Sequence, residues 1–421
     1  MLDTVVLTLD QREFEVLEPD RFSPSARGLI VPPWLPLGGR GVFTCVQNPT
    51  KTDFAEGRYG PRLTLRRRKT DGGFVLTLRI EFSAPKLIFG NNFDELRSRD
   101  FEAVLAALLR SLGAAGIRTS EDTLRAARVS AIHYSKNMLL TDFTTCSMVM
   151  AELERLDLDA RLDLAKTDYR NGGHAIRYHA NSFEVVVYDK LRDLEKARYS
   201  EKRAIETDNP VQFDLLGVRK ARPRGTEIVR LEIRLGTRAK IRDVMKRIGA
   251  EVEPTFAALF DISVAKGVLR HLWDRMRSTA PPGYSDGKER PEQILARLAA
   301  ASPKAPRPAK LLQQLGTVIL RDSVGIRGLG ALMRRHGTPR TWQRIRRQLK
   351  DLPEAQPVGL DILGTLNTAL TEFRPLALSD FPGAATQGSV ARMRQRPPAR
   401  RRRAPTARRK LREETGSRTP T

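Results

Sequence analysis

The sequence has few cysteines, few aromatic residues and no long apolar run. Only Cys45 and Cys146 occur among 421 residues, too few for a disulfide framework or a cysteine-rich zinc site. No apolar stretch approaches the roughly 20 residues of a membrane-spanning helix. The N-terminal MLDTVVLTL carries an early Asp and no basic region, which argues against a signal peptide. These absences predict a cytoplasmic protein with reduced thiols and no membrane partner.

Acidic residues are also scarce, because 74 Lys and Arg face 49 Asp and Glu, giving a net charge of +25. Such an excess indicates nucleic acid as the partner, since Lys and Arg displace counterions from phosphates. An anionic membrane surface is the alternative. Ten arginines and one lysine, without an acid, lie between 391 and 412, so we predict a disordered Arg-rich tail over 385–421. An RNA-recognition sheet is disfavoured because aromatic residues make up only 6%.

The first half of the chain is rich in strand and hairpin patterns. FVLTLRIEF places five apolar residues on one face of a strand, and KTDGG before it is a hairpin turn. Helical spacing occurs between the strands, as in FEAVLAALLRSL. Hairpins favour an α+β fold with an antiparallel sheet over a doubly wound parallel sheet. We place this domain over 1–280 and expect strands at 5–9, 62–68, 74–82, 129–134, 174–179, 183–189 and 228–235.

The composition changes after Pro281, where PPGYSDGKERP indicates a linker. Helical patterns over 290–376 predict a mostly helical second domain. Within it, 326–336, the turn GTPRT and 342–349 form a helix-turn-helix candidate. Its second helix carries Arg344, Arg346 and Arg347. These arginines are either DNA contacts or the solvated face of a small bundle, and the sequence supports both interpretations equally.

Side-chain alternation brings reactive residues of three strands to one surface. In FEVVVYDK, Tyr188 and Lys190 share a face, while Asp189 faces away and is placed to cap the helix that follows. In IVRLEIRL, Glu232 lies between Arg230 and Arg234, and His133 belongs to the third strand. Rival candidates in the preceding hairpin are Tyr178, His174 and His179.

A tyrosine can act as a nucleophile towards phosphate, because its aryl ester conserves the energy of the broken bond. Its pKa near 10 requires a neighbouring cation or metal, and Lys190 is placed for that role. Glu232 and His133 are candidate ligands for Mg²⁺ or Mn²⁺, which polarises a phosphoryl oxygen. Each residue also has an ordinary structural interpretation: a strand tyrosine, a solvated lysine, a surface ion pair and a core histidine.

Four segments in this order resemble the replication initiators of filamentous phages and the rolling-circle Rep proteins of plasmids. They are SAPKLIFGNNFDEL, VSAIHYS, FEVVVYDKL and IVRLEIRLGTR, within about 1–248. The resemblance implies an antiparallel sheet like those of ferredoxin-like or RRM-like nickases, in single or duplicated form. It assigns Tyr188 as nucleophile, Lys190 as phosphate-binding lysine, Glu232 as metal ligand or acid–base group and His133 as metal ligand. Lys86, Asn91 and Asn92 fall in its Gly-Asn segment. The sequence departs from the wider nickase superfamily in having no histidine pair of the usual metal-binding spacing.

The activity implied by the resemblance is Mg²⁺- or Mn²⁺-dependent nicking of a double-strand origin, through a 5′-phosphotyrosine that leaves a 3′-OH primer and is later religated. Its partners would be origin DNA, the displaced single strand, and a helicase and DNA polymerase of the bacterial host cell. We expect Tyr188 at the edge of the sheet, where DNA can reach it, and Arg230 and Arg234 in contact with DNA. The alternative is a non-catalytic, sequence-specific DNA-binding regulator that uses the helix-turn-helix candidate.

Overall fold

The protein is described from a computed structural model. The described residues are 1–29, 43–49, 59–70, 73–140, 144–156, 166–170, 174–193, 227–250, 252–278, 291–301, 307–350, 352, 362–377 and 380. The Arg-rich tail predicted over 385–421 lies outside these ranges.

The centre of the fold is a nine-stranded sheet in which every pair of neighbours is antiparallel. This confirms the predicted α+β class with an antiparallel sheet. The strand order is β3-β4-β5-β1-β7-β11-β10-β9-β8, and a separate two-stranded ribbon pairs β2 with β6. The strands are β1 Leu2–Asp10, β2 Glu15–Val16, β3 Phe43–Gln47, β4 Arg62–Thr70, β5 Gly73–Ser83, β6 Ile117–Arg118, β7 Arg128–Leu140, β8 Lys166–Arg170, β9 Ala175–His179, β10 Phe183–Asp189 and β11 Glu227–Leu235.

The sheet consists of two halves of like topology that meet at the pair β1 and β7. In the first half, β1 pairs with β5, and β4 and β3 follow outward. In the second half, β7 pairs with β11, and β10, β9 and β8 follow outward. In each half, therefore, the first strand lies at the centre of the sheet. The later strands form a meander, and the last strand of that meander pairs with the first strand.

Helices cover one face of this sheet. Buried apolar side chains of helices α1 to α7 and of α11 join those of the strands in a single core. Ring contacts among Phe82, Phe101, Phe256 and Phe260 lie within it. The helices are α1 Ala84–Phe89, α2 Phe101–Ala114, α3 Glu121–Ala126, α4 Cys146–Arg155, α5 Arg238–Arg247, α6 Phe256–Leu259, α7 Ile262–Arg277, α8 Pro291–Ala300, α9 Pro308–His336, α10 Pro339–Lys350 and α11 Ile362–Glu372.

The opposite face of the sheet carries mainly polar side chains, and we call it the open face. Strand pairing fixes its composition, because residues paired across antiparallel strands point to the same side. Tyr188 is paired with Arg230, and Arg230 with Asn137, while Arg234 is paired with His133. The predicted sharing of one face by three reactive strands is therefore confirmed.

The C-terminal helices divide between two cores. Helices α8, α9 and α10 pack around their own cluster, which includes Leu298, Leu329 and Leu349. Helix α9 is broken at Gly325, whose φ of 72° favours glycine. By contrast, Leu366 and Leu370 of α11 are buried in the core of the sheet. The packing thus separates α11 from the other helices of the 290–376 segment. Of the helices in the described ranges, none combines the length and the hydrophobicity that a membrane crossing requires.

Candidate active site on the open face

Tyr188 lies near the end of β10, which is an interior strand with β9 and β8 outside it. Its side chain is 8% exposed. The expected position on the sheet edge is therefore wrong, because two strands pair beyond the tyrosine and their order is not visible in local sequence. The hydroxyl donates to Glu232 Oε2 at 3.3 Å. Burial raises the pKa of Tyr188 well above its usual value, while nearby Arg230 acts in the opposite direction.

Glu232 lies at the centre of the charged residues. Its Oε1 accepts a hydrogen bond from Arg234 Nε at 2.8 Å and lies 3.4 Å from His133 Nδ1. Burial alone would raise its pKa, but Arg234, His133 and Arg230 together lower it well below the usual range. The side chain is only 3% exposed and ionised at neutral pH. It is a buried anion held by cations, with one oxygen directed at the Tyr188 hydroxyl.

Arg230 connects four segments of the chain beneath the tyrosine. Its Nη1 donates to the carbonyl oxygen of Asn92 and its Nη2 to Ser135 Oγ, both at 2.6 Å. Its Nη2 also lies 3.3 Å from Asp3 Oδ2, and Asp3 Oδ1 accepts from Ser83 Oγ at 3.3 Å. Asp3, Ser83 and Ser135 were not predicted as site residues. Asp3 and Ser83 lie near strand ends and Ser135 lies within β7, and only strand pairing brings them to Arg230.

Lys190 follows β10 and is also buried, with 1% of its surface exposed. Its Nζ donates to Asn92 Oδ1 at 2.8 Å and lies 5.8 Å from the centroid of the Tyr188 ring. Burial lowers the pKa of Lys190 to about 8, and the charges of Arg230 and Lys86 contribute to the lowering. Lys86, itself 5% exposed, therefore belongs to the same cluster of buried charges.

The turn after α1 closes one end of the site. Gly90 ends the helix with a φ of 69°, which favours glycine, and Asn91 follows. Asn91 Oδ1 accepts from the backbone N–H groups of Phe93 and Asp94, each at 2.9 Å, so its side chain shapes the turn. This positions Asn92 against Lys190 and Arg230. A small apolar cluster borders the site beyond the turn: Phe93, Leu139, Leu191, Ile228 and Leu376.

The candidate metal ligands His133 and Glu232 are brought together, with one imidazole nitrogen next to one ionised carboxylate. Mg²⁺ in proteins is usually bound through one or two carboxylates together with waters and substrate phosphates, so this pair offers one ligand of that kind, Glu232, and one imidazole nitrogen. Arg234 Nε already bonds to Oε1 of Glu232. A metal ion would share that oxygen with the guanidinium or displace it.

The rival candidates lie elsewhere. Tyr178 points into the core on the helix side, where its hydroxyl donates to the Leu153 carbonyl oxygen at 3.2 Å. His179 Nδ1 is 2.9 Å from Glu184 Oε1 on the outer part of the open face, and His174 contacts Arg192. None of the three contacts Tyr188 or Glu232 within the described ranges.

A second group of possible metal donors contains Cys146, Asp189 and Glu227, whose ligand atoms lie within 4.8 Å of one another. Asp189 Oδ1 accepts from the backbone N–H groups of Leu191 and Arg192, as the sequence predicted for a helix cap. Glu227 Oε2 accepts from the Cys146 N–H at 2.6 Å, at the start of α4. Backbone capping accounts for both carboxylates.

Arg344, Arg346 and Arg347 lie on α10, apart from this cluster. The apolar side of α10 packs through Trp342, Ile345 and Leu349 against α8 and α9. Arg344 and Arg347 are exposed on the remaining surface of the helix. The arrangement agrees with a solvated basic helix face and with a DNA-contacting one.

Comparison with protein-family models, with curated proteins and with solved structures found no match.

Proposed function

We propose that this chain is a DNA-nicking enzyme in which Tyr188 forms a covalent phosphotyrosine. The observation that carries the proposal is the buried hydrogen bond from the Tyr188 hydroxyl to Glu232 Oε2, on a sheet face where Arg230 and Lys190 flank the tyrosine. Buried, charged and perturbed groups concentrate at functional sites, because a stable core would replace them with apolar residues.

In the proposed reaction, the Tyr188 oxygen attacks a backbone phosphorus and forms a new O–P bond. The phenolic proton leaves along the hydrogen bond to Glu232 Oε2 and passes on to solvent, because the low pKa of this carboxylate makes it a transient acceptor only. The bond from phosphorus to the 3′ oxygen breaks, and that oxygen takes a proton from Lys190, whose pKa of about 8 suits a general acid at neutral pH. The products are a 5′-phosphotyrosine and a free 3′-OH. The reverse reaction religates the strand.

Arg230 supplies positive charge where the pentavalent phosphorus gathers negative charge. Within the described residues its Nε is buried and has no hydrogen-bond acceptor, although both Nη atoms are occupied. A buried donor left without a partner costs about 1–3 kcal/mol. A phosphate oxygen would reach this Nε only after the side chains that bury it move aside.

The proposal includes a divalent ion. His133 and Glu232 would hold Mg²⁺ or Mn²⁺, and the ion, when bound, would polarise the phosphoryl oxygen. The net charge of +25 supports DNA as substrate. We further propose that the enzyme starts rolling-circle replication at a double-strand origin in the cytoplasm of a bacterial host, where a helicase and a polymerase extend the 3′-OH.

The test compares Tyr188→Phe with wild type on DNA that carries the replication origin of the same genetic element, with Mg²⁺ or Mn²⁺. Denaturing gels report both the nicked strand and a protein–DNA adduct. We expect both products to vanish, a loss of at least about 10⁴-fold, because phenylalanine has no nucleophilic oxygen. The matched control is Tyr178→Phe, which removes a buried hydroxyl on the other face and should keep both products.

A nick that persists in Tyr188→Phe would overturn the assignment of the nucleophile. DNA binding without a nick by wild-type protein would favour the non-catalytic regulator. That alternative draws support from the exposed arginines of α10, and it predicts that Arg344→Gln with Arg347→Gln abolishes sequence preference.

A further inference from the structure

The first half of the sheet has its own charged feature on the open face. It consists of three arginines of β4 that point to this face, and we call them the arginine ladder: Arg62, Arg66 and Arg68. The residues between them that point to the other face are Leu63, Leu65 and Arg67. All three ladder side chains are exposed, whereas Leu63 and Leu65 are fully buried in the core. The alternation places the ladder on the same side of the sheet as Tyr188.

The ladder has no acidic counterpart among the described residues of this half. Arg62 is paired in register with Glu81, but the Glu81 carboxylate forms its ion pair with Arg79 at 3.3 Å. Within the described ranges, the guanidinium groups of the ladder have no carboxylate at salt-bridge distance. Solvent-exposed, unpaired arginines do not stabilise the fold, so they are available to bind a polyanion.

Small polar side chains lie between the ladder and the tyrosine. Thr64 is paired with Arg79, which is paired with Thr8, and the Thr8 hydroxyl bonds to Ser130 Oγ at 3.2 Å. Thr64, Thr8 and Ser130 project little from the sheet and carry hydroxyl groups, whereas Arg79 between them is a long side chain paired with Glu81. β4 and β10 are separated by five strand-to-strand steps. At about 4.8 Å per step, the ladder lies roughly 24 Å from the Tyr188 strand.

We infer that the arginine ladder binds the phosphate backbone of the single-stranded DNA that continues from the strand held at Tyr188. The face from β4 to β10 is six strands, or roughly 24 Å, wide and exceeds the roughly 12 Å of a major groove, so it cannot read a duplex by entering it. A single strand can lie along it. Exposed Phe43 and Phe74 share the opposite side with Arg67, so the ladder acts through charge and not through base stacking. The choice of DNA as the ligand rests on the proposed function. The inference that the ladder binds a polyanion does not, because it follows from the exposed, unpaired arginines.

The test substitutes Arg62, Arg66 and Arg68 by Gln together, in a Tyr188→Phe background that removes chemistry. Binding of labelled oligonucleotides containing the origin sequence is measured as a function of salt. At roughly 3.4 Å per nucleotide, 24 Å corresponds to about seven nucleotides. Three oligonucleotides are therefore compared. The short one ends three nucleotides from the cleavage site. The two long ones extend twelve nucleotides from that site, one on its 5′ side and the other on its 3′ side.

We expect the ladder variant to bind one of the two long oligonucleotides about 10- to 100-fold more weakly, with unchanged binding of the short one. The slope of the logarithm of the binding constant against the logarithm of salt concentration should become less negative by about 2. Each of the three lost phosphate contacts on a single strand contributes about 0.7 to that slope. The control variant replaces exposed Arg12, Arg99 and Arg110 by Gln, which removes the same charge away from the open face. Equal slopes for the two triple variants would overturn the inference.

The inference would also be overturned if the ladder variant bound duplex DNA more weakly but bound single strands with unchanged affinity. The outcome is separable from the proposed function. A wild-type protein that never nicks DNA, yet loses affinity and slope in the ladder variant, would refute Tyr188 chemistry and keep the surface. Normal nicking by wild type, together with equal DNA affinity and salt slope for the ladder variant and the Arg12, Arg99 and Arg110 control, would support Tyr188 chemistry and refute the role of the ladder.

Discussion

The two halves of the sheet share a topology but use their open faces differently. On β4 and β5 of the first half the open-face charges are exposed: the Arg79–Glu81 pair has side chains 49% and 37% exposed, and the arginine ladder lies beside it. In the second half the charges are buried, with Glu232 3% exposed and Lys190 1% exposed. Exposed charges interact weakly through water, whereas buried charges interact strongly and perturb each other.

The two halves of the sheet have a similar strand order and differ in how deeply the charges of their open faces are buried. The first half exposes arginines to solvent at little cost in stability. The second half encloses a tyrosine among charges that a stable core would avoid, at a cost that the helix-side core offsets. Three pairs of substitutions, one member in each half, test this contrast.

The largest effect is expected for Glu232→Gln against Glu81→Gln. Removing Glu232 takes away the nearer carboxylate partner of Arg234 and one of the carboxylates around buried Arg230, so the free energy of unfolding should fall by about 3–5 kcal/mol. The exposed counterpart should change it by at most about 1 kcal/mol. Urea unfolding at pH 7 measures both. Similar values for the two variants would show that the halves do not differ in the way their charges are buried.

The next effect concerns pH and Lys190. Its folded pKa of about 8 lies below the unfolded value of about 10.4, so the unfolded chain binds more protons between these limits. Wild type should therefore gain stability relative to Lys190→Met as the pH rises from about 8 to about 10.4, by on the order of 3 kcal/mol. It should lose that gain as the pH falls back towards the folded pKa.

The matched control for Lys190 is Arg66→Met, an exposed cation in the other half, for which the difference from wild type should stay flat across this range. Thermal unfolding at a series of pH values gives both curves. A flat curve for Lys190→Met would mean that the lysine titrates as if exposed. In nicking assays, activity that depends on the Lys190 proton should decline as the pH rises above the folded pKa of about 8.

The smallest contrast is Arg234→Gln against Arg66→Gln. Arg234 bonds to Glu232 Oε1 and to Glu184 Oε2, at 2.8 and 3.4 Å, so its loss should cost about 1.5–3 kcal/mol of unfolding free energy. Arg66 lacks such a partner in the described part of the chain, and its loss should stay within about 0.5 kcal/mol. Chemical denaturation resolves this difference, and a reversed order would contradict the contrast between the buried and the exposed half of the open face.

Local patterns in the sequence are sufficient for part of this site. They place Tyr188, Glu232 and His133 on one face, because side chains alternate along every strand. The capping role of Asp189 follows from its position at the start of a helix. Each of these inferences depends only on residues that are close together in the chain.

Contacts between distant segments do not follow from local patterns. Asp3 and Ser135 reach Arg230 through the pairing of β1, β7 and β11, and Asn92 reaches it through the turn after α1. The interior position of Tyr188 depends on the strands that pair beyond β10. The packing of α11 with the sheet core is equally hidden, because an amphipathic helix does not specify which core it covers.

Composition and short-range pattern are therefore enough to specify the α+β class, the alternating faces of the strands and the strong positive charge. The strand order, the burial of Lys190, Arg230 and Glu232, and the distance between the arginine ladder and the tyrosine arise only when the chain folds. The physical reason is that burial and charge interaction depend on which distant segments meet, and hydrogen-bonded pairing and core packing select those segments cooperatively.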